Sequence, residues 1–169
     1  MSTSSLLLSL FKYKAWANDE LFAQLETMDP VAHPDERHTA LRLLNHIHVV
    51  DRIFAAHLAG KAHAYGATNT PETPAFDELR GAVAELDRWY VDYVGALPSE
   101  RLSESLAFTF ADGQPARMSH EEILAHVVTH GGYHRGAVGR VMAQVSVAPP
   151  RDTFTVYLHR AQPERRGRN

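Results

Sequence analysis

Residues 119–142 read SHEEILAHVVTHGGYHRGAVGRVM, a helix-capping motif followed by a long apolar stripe. Ser119 and Glu122 match the capping box, in which two side chains satisfy the free backbone donors at a helix start. Apolar residues and histidines then recur at three- and four-residue steps, until Val147 and the Pro149-Pro150 pair stop the pattern. This stretch therefore predicts a long helix that carries several histidines on its inner face.

Three earlier segments show the same helical period. They run from about Ser4 to Met28, from about Thr39 to Leu58, and from Phe76 to Val94. Asp29-Pro30 and Pro98 end the first and third segments, and Gly60 is a C-terminal cap signal for the second. Four helices of similar length, with one longer crossover, predict an all-α four-helix bundle.

The connections between these helices differ in composition. Residues from about Lys61 to Pro74 hold glycine, prolines and threonines, which favour an exposed loop. Leu106–Phe110 and Ala116–Met118 flank a turn-rich centre, so we expect a small hairpin or extended excursion before the last long helix. We treat residues 1–169 as a single domain in which about 150–169 form a C-terminal tail.

Bulk composition restricts the function classes. The 169 residues carry a formal net charge of -3, which gives no long-range attraction for nucleic acid or an anionic membrane. There are no cysteines, so any metal must be held by nitrogen or oxygen ligands. The apolar run from Leu6 to Phe11 is soon interrupted by Lys12 and Lys14, unlike a secretory signal or a membrane span, and we expect a cytoplasmic protein.

Histidines are the unusual feature of the composition, with eleven in the chain. His130 and His134 are four residues apart, which places their rings one turn apart on one helix face, where they can converge on a metal ion. His126 precedes them by another four residues, and each such step drifts about 40° around the helix axis. One of the three should therefore support the site without binding the ion. His46, in the apolar stripe of the second helix, is a reasonable third donor.

Spacing alone leaves a second interpretation open, namely that these are satisfied core histidines. Gly131-Gly132 bears on the choice, because each glycine inside a helix costs about 1 kcal/mol relative to alanine. The space is needed either by a site or by close packing of another helix. Gly131 also replaces the glutamate of the zincin motif, so metalloprotease chemistry is not expected. We expect the remaining histidines to lie at the surface: His33, His38, His48, His57, His63, His120 and His159.

The sequence His126-Val-Val-Thr-His130-Gly-Gly-Tyr-His134-Arg135-Gly136 resembles the signature of the DinB-like superfamily, which includes YfiT-like proteins and thiol-dependent transferases. Tyr13-Lys-Ala-Trp16-Ala-Asn18 and the stretch from Leu44 to Phe54 agree with it, so the resemblance covers essentially the whole domain. One departure is Ala137, where many members have glutamine. We expect Trp16 and Asn18 to pack and brace the helices.

The resemblance implies a metal triad that maps to His46, His130 and His134. It also implies an up-down-down-up bundle, frequent homodimers and a bound divalent ion, with zinc or nickel ahead of iron or manganese. Three neutral imidazoles leave at least one coordination position open, as catalytic sites do. His126, Asp51 and Arg135 are candidates for a supporting role, with Asp51 orienting Arg135 or another neighbour.

Three functional hypotheses follow. The first is a metal-dependent enzyme that activates a low-molecular-weight thiol or water for a small-molecule substrate, with thiol transfer favoured by the resemblance and hydrolysis second. The second is a non-catalytic metal-binding stress-response protein whose ion locks two helices together. The third is DNA binding, which conflicts with the net charge and the lack of a basic helix face.

Overall fold

The computed structural model describes residues 2–167 and is mostly helical. Its elements are α1 (Thr3–Glu26), α2 (Pro34–Leu58), α3 (Phe76–Ala96), β1 (Ser105–Thr109), β2 (Pro115–Ser119), α4 (His120–Gln144) and α5 (Phe154–Ala161). Short 3-10 turns occupy Ser99–Arg101 and Pro163–Arg165. All four predicted long helices are therefore present. Among the described residues, no helix is long and apolar enough to cross a membrane.

Helix ends depart from the predicted limits in two places. α2 begins at Pro34 and not near Thr39, with Pro34 in the first turn followed by Asp35 and Glu36. Proline fits the first turn of a helix because its missing N–H would be unpaired there, and acidic side chains suit the positive end of the helix dipole. α1 ends at Glu26, before the Asp29-Pro30 pair is reached.

The long helices pack around a shared interior. α1 contacts α3 and α4, and α2 contacts α4 and α3. One apolar cluster centres on Phe11, Phe54 and Tyr90, and a second centres on Phe22 and Met142. The all-α class is supported, while the up-down-down-up order of the helices stays a prediction.

A two-stranded antiparallel hairpin leads directly into α4. β1 pairs with β2 in a register that runs from Ser105 opposite Ser119 to Thr109 opposite Pro115. Gly113 supplies the turn with a φ of +86°, a conformation that side chains rarely adopt. At the strand end, the Ser119 and Glu122 side chains form both hydrogen bonds of the predicted capping box. The hairpin is therefore anchored to the start of α4.

The segment beyond residue 150 is more ordered than a tail, because it includes α5. Phe154 and Tyr157 of α5 lie against Tyr13 of α1, with ring centroids 5.6 and 6.1 Å from that of Tyr13. Asp152 accepts hydrogen bonds from Tyr13 Oη and from Arg135 Nε, the latter at 2.7 Å. These contacts hold α5 against the outside of α1. The last two residues of the basic terminus lie outside the described part of the chain.

Candidate metal centre

Three histidines from two neighbouring helices converge at one place on the bundle. His46 comes from α2, and His130 and His134 come from successive turns of α4. One ring nitrogen from each lies within 4.8 Å of the other two, and all three side chains are partly buried. Among the described residues, this is the one group of three or more histidine or carboxylate side chains placed closely enough to hold a metal ion.

The α2–α3 loop fixes the orientation of the His46 ring. His46 Nδ1 lies 2.7 Å from the Thr68 carbonyl oxygen. Since a carbonyl oxygen only accepts, Nδ1 is the protonated nitrogen and the lone pair of the neutral ring is on Nε2. The loop is held in turn by α2, because Arg42 donates to the Thr70 carbonyl at 2.7 Å and Asn45 donates to the Thr70 hydroxyl at 2.6 Å.

The distance between His46 and His130 fits joint coordination of one ion. Their Nε2 atoms are 3.1 Å apart. Two imidazole nitrogens that each lie about 2.0–2.1 Å from a metal are about 2.8–3.4 Å apart, from adjacent octahedral to tetrahedral positions. A lone pair on His46 Nε2 also matches the outer hydrogen bond that ligating histidines usually make through their other nitrogen. The residues present therefore fit a divalent ion that prefers nitrogen ligands.

The site favours neutral imidazoles, which are the form that binds metals. Burial lowers the pKa of His130 to about 3, with further lowering by the neighbouring His134, His46, His126 and Lys14. Burial and the proximity of His46 also lower the pKa of His134. Protons therefore compete weakly for these two ligands at neutral pH.

His126 stacks against the triad. Its ring lies 5.3 Å from that of His130 at an interplanar angle of 30°, and 4.9 Å from the Phe54 ring. His130 Nδ1 is buried and has no hydrogen-bond partner among the described residues. His126 therefore meets the site through ring packing.

Asp51 belongs to a buried ion cluster beneath α4, which the sequence did not indicate. The Asp51 Oδ2 atom lies 2.7 Å from Lys14 Nζ, and Asp87 Oδ1 lies 2.7 Å from the same nitrogen. Lys14 is 1% exposed, Asp51 2% and Asp87 4%. Of the two partners expected for Asp51, Arg135 or another neighbour, the described residues show the second, since Asp51 pairs with Lys14 while Arg135 contacts Asn18 and Asp152. The sequence did carry one sign of this cluster, because Lys14 lies in the apolar stripe of α1 and Asp87 in that of α3.

Arg135 links this cluster to the C-terminal segment. Its Nη1 donates to Asn18 Oδ1 at 3.3 Å, and Asn18 donates to Asp87 at 2.7 Å. On the other side, Arg135 Nε pairs with Asp152 at 2.7 Å. Arg135 is 2% exposed, so it supports α4 from the inside, and Asn18 braces the helices as expected.

The glycine between the ligands explains how the ion cluster fits under α4. A Cβ added at Gly131 would lie 3.1 Å from Arg135 Nη1 and 3.5 Å from Lys14 Cε. At Gly132 the nearest such atom is Arg135 Nη2, at 3.9 Å. Close packing therefore accounts for Gly131, while Gly132 has room for a side chain.

Some of the histidines expected at the surface are buried. His120 is 0% exposed, and its Nδ1 lies 3.1 Å from the Glu104 carbonyl oxygen. His48 is partly buried, and burial lowers its pKa to about 4. His57 and His63 are also partly buried, with ring centroids 5.1 Å apart. Position at an element end did not predict exposure, because His57 packs against Phe108 of β1 and His63 of the α2–α3 loop, and His120 lies against the backbone of Glu104 just before β1.

Comparison with known proteins identifies the family. A family model of DinB matches residues 1–166. The chain belongs to the DinB family. It is 23% identical over 172 residues to Protein DinB of Bacillus subtilis (strain 168), across 96% of this chain and 99% of that relative. No solved structure matches it. The resemblance drawn from the sequence motifs is confirmed, and DinB family membership together with the three-histidine cluster is compatible with metal binding.

Proposed function

We propose that this DinB family chain is a metal-dependent enzyme that holds a divalent ion through His46, His130 and His134. The observation that carries the proposal is the convergence of three imidazoles in which Thr68 fixes the His46 lone pair on Nε2, 3.1 Å from His130 Nε2. An all-nitrogen donor set without cysteine suits zinc or nickel first, with iron or manganese as further candidates.

An ion bound by three neutral imidazoles keeps its full charge and an open position, so it would act as a Lewis acid that lowers the pKa of a water or thiol. The three histidine side chains are only partly buried, which leaves a path for a small substrate. Tyr133, next to His134 with ring centroids 5.0 Å apart, is 78% exposed and lies on the solvent side.

Thiol transfer is the reaction class we favour, with hydrolysis as the alternative. The chain has no cysteine, so the thiol has to be a low-molecular-weight cosubstrate that enters the site. The histidines of the site are neutral, so the attraction for a thiolate would come from the metal ion. A homodimer is the expected assembly of such a protein, and it also stays a prediction.

Elemental analysis after purification without a metal-binding tag tests the ligand set. We expect about one equivalent of metal in the natural protein and in His159→Ala, because His159 is exposed on α5. We expect His130→Ala to lose most of it, since two ligands from two helices hold an ion poorly. Full metal content in His130→Ala would show that the three histidines are not the site.

Cobalt substitution then separates catalysis from a structural role. An open site changes its visible spectrum when a low-molecular-weight thiol is added, whereas a saturated site does not. A non-catalytic protein in which the ion locks α2 to α4 would keep its spectrum and lose thermal stability sharply on metal removal. Because the proposed site is open, we expect the spectrum to change when the thiol is added. α2 and α4 already share a large packed interface, so we expect metal removal to have only a modest effect on stability.

A further inference from the structure

The α2–α3 loop is long for a connection inside a compact domain. It covers residues 59–75 and contains no helix or strand. Loops of this length without regular structure are uncommon in compact domains, and they are usually either functional or disordered. The described side-chain hydrogen bonds of this loop all lie within residues 68–72, and they join it to the part of α2 that carries His46. The polar contacts of the loop are therefore concentrated beside one candidate ligand.

Asn69 lies at the centre of these hydrogen bonds. Its side-chain oxygen accepts from Asn45 Nδ2 and, at 3.0 Å, from the Thr70 amide. Its side-chain nitrogen donates to the Arg42 carbonyl at 3.1 Å. Asn45 also donates to the Thr70 hydroxyl, and Arg42 donates to the Thr70 carbonyl. We call the bonds among these four residues the loop lock, because they hold the loop against the turn of α2 that carries His46.

The loop lock and the hydrogen bond of His46 differ in their exposure to water. Asn45 is 1% exposed, so the hydrogen bonds that it donates are shielded from solvent. The bond from His46 Nδ1 to the Thr68 carbonyl lies at the surface, where water competes for both groups. Such a bond holds the ring in one orientation only if the carbonyl itself is held in place. The buried loop lock therefore supports an exposed bond that would otherwise exchange with water.

The orientation of the His46 ring decides whether it can act as a ligand. A neutral imidazole can carry its proton on either nitrogen. The Thr68 carbonyl selects the form with the proton on Nδ1, and the lone pair then lies on Nε2, 3.1 Å from His130 Nε2. Release of this carbonyl would let the His46 ring rotate and change its tautomer. The free energy of ordering the ring would then oppose metal binding.

We propose that Asn45 and Asn69 are positioning residues for the metal centre, which order the α2–α3 loop so that the Thr68 carbonyl sets His46 as a ligand. This inference rests on the function proposed above for the ion, whereas the orientation of His46 is a property of the metal-free chain as well. Coupling between two equilibria is reciprocal. A loop lock that raises metal affinity is therefore itself stabilised by the metal, by the same factor.

Zinc affinity, measured by competition with a chromogenic chelator, tests the role of the two asparagines. We expect Asn45→Ala and Asn69→Ala to bind zinc about tenfold more weakly than the natural protein, because the outer hydrogen bond of a ligating histidine has an effect of this size. Thr73→Ala is the control, since Thr73 lies in the same loop outside the loop lock, and it should bind as the natural protein does. Unchanged affinity in Asn69→Ala, which alters the loop and leaves the buried face of α2 intact, would overturn the proposal.

Long-range proton–nitrogen NMR spectra of the metal-free proteins separate positioning from general stability. We expect the neutral His46 ring to carry its proton on Nδ1 in the natural protein and in Thr73→Ala, and to populate both tautomers in Asn69→Ala. A purely structural role of Asn69 would lower Tm and leave the proton on Nδ1. A single form with the proton on Nδ1 in Asn69→Ala, or with the proton on Nε2 in the natural protein, would refute the proposal.

Hydrogen exchange at the Thr70 amide tests the reciprocal effect. This N–H donates to Asn69 Oδ1, so its exchange rate reports the opening of the loop lock. Zinc should slow the exchange about tenfold in the natural protein and leave it unchanged in His130→Ala. Equal rates with and without zinc in the natural protein would refute the coupling. A natural protein that binds no zinc would refute the proposed function, and the tautomer spectra would still decide whether the loop positions His46.

Discussion

Asp51→Asn should change how the stability of the protein depends on pH. The Asp51 carboxyl is 2% exposed, its Oδ1 has no partner among the described residues, and its Oδ2 shares Lys14 with Asp87. Burial raises the pKa of Asp51 from 3.8 to about 6, and the attraction of Lys14 only partly opposes this effect. One buried ammonium between two carboxylates therefore leaves Asp51 easier to protonate in the folded protein than in the unfolded chain.

The sign and size follow from proton linkage. Between about pH 4 and pH 6 the folded state binds more protons at this carboxyl than the unfolded state does. The free energy of unfolding therefore falls as pH rises through this window. A pKa raised from 3.8 to about 6 corresponds to a loss of about 3 kcal/mol, which is absent below pH 4 and fully expressed above pH 6. The asparagine side chain cannot titrate, so Asp51→Asn should gain up to this amount relative to the natural protein between pH 4 and pH 7.

Urea unfolding followed by circular dichroism, in EDTA at half-unit steps of pH, measures this difference. EDTA removes metal binding from the comparison, and subtraction of the two proteins cancels the other carboxylates. Asp92→Asn, at an exposed position on α3, is the matched control and should run parallel to the natural protein. A difference between Asp51→Asn and the natural protein that stays constant from pH 4 to pH 7, or that falls, would refute the reasoning.

Four further substitutions test the packing around the site. Lys14→Met removes the cation that Asp51 and Asp87 share and should cost about 3–5 kcal/mol in urea unfolding at pH 7. A smaller loss would contradict the ion cluster. Gly132→Ala has room for its Cβ and should raise Tm by about 2–4 °C. Gly131→Ala should raise Tm less, because its Cβ would lie 3.1 Å from Arg135 Nη1. The opposite order would contradict the packing. Tyr13→Phe removes the hydrogen bond to Asp152, and it should cost about 1 kcal/mol and speed proteolysis near α5, with unchanged proteolysis as the contrary result.

The long helices could be predicted because each has a stretch of apolar residues with a helical period and a clear stop signal. α5 could not, because eight residues give too short a pattern, and its Phe154 and Tyr157 pack against Tyr13 and Trp16 of α1, a contact made only in the folded chain. The predicted start of α2, near Thr39, was too late because the apolar pattern begins only after the first turn, in which Pro34 starts the helix.

For the site, spacing indicated His130 and His134, and the family resemblance selected His46. The Thr68 carbonyl that orients His46 could not be predicted, because a backbone oxygen from a loop leaves no signal in the sequence. The burial of His120 was missed for a similar reason: Glu104, just before β1, supplies its partner through a backbone carbonyl. Contacts with backbone atoms of distant segments depend on the fold and not on the local pattern.

The two faces of α4 around Gly131 meet different chemical environments, and both bear on the metal centre. His130 and His134 face α2, while Gly131 allows α4 to pass close over Lys14 and leaves room for the side chain of Arg135. A buried ion cluster is a poor source of stability compared with apolar packing. Yet its cation lies near enough to His130 to add to the burial that lowers the pKa of that ring. The ion cluster therefore adds a small contribution, after burial and the neighbouring histidines, to keeping the His130 lone pair available to an ion.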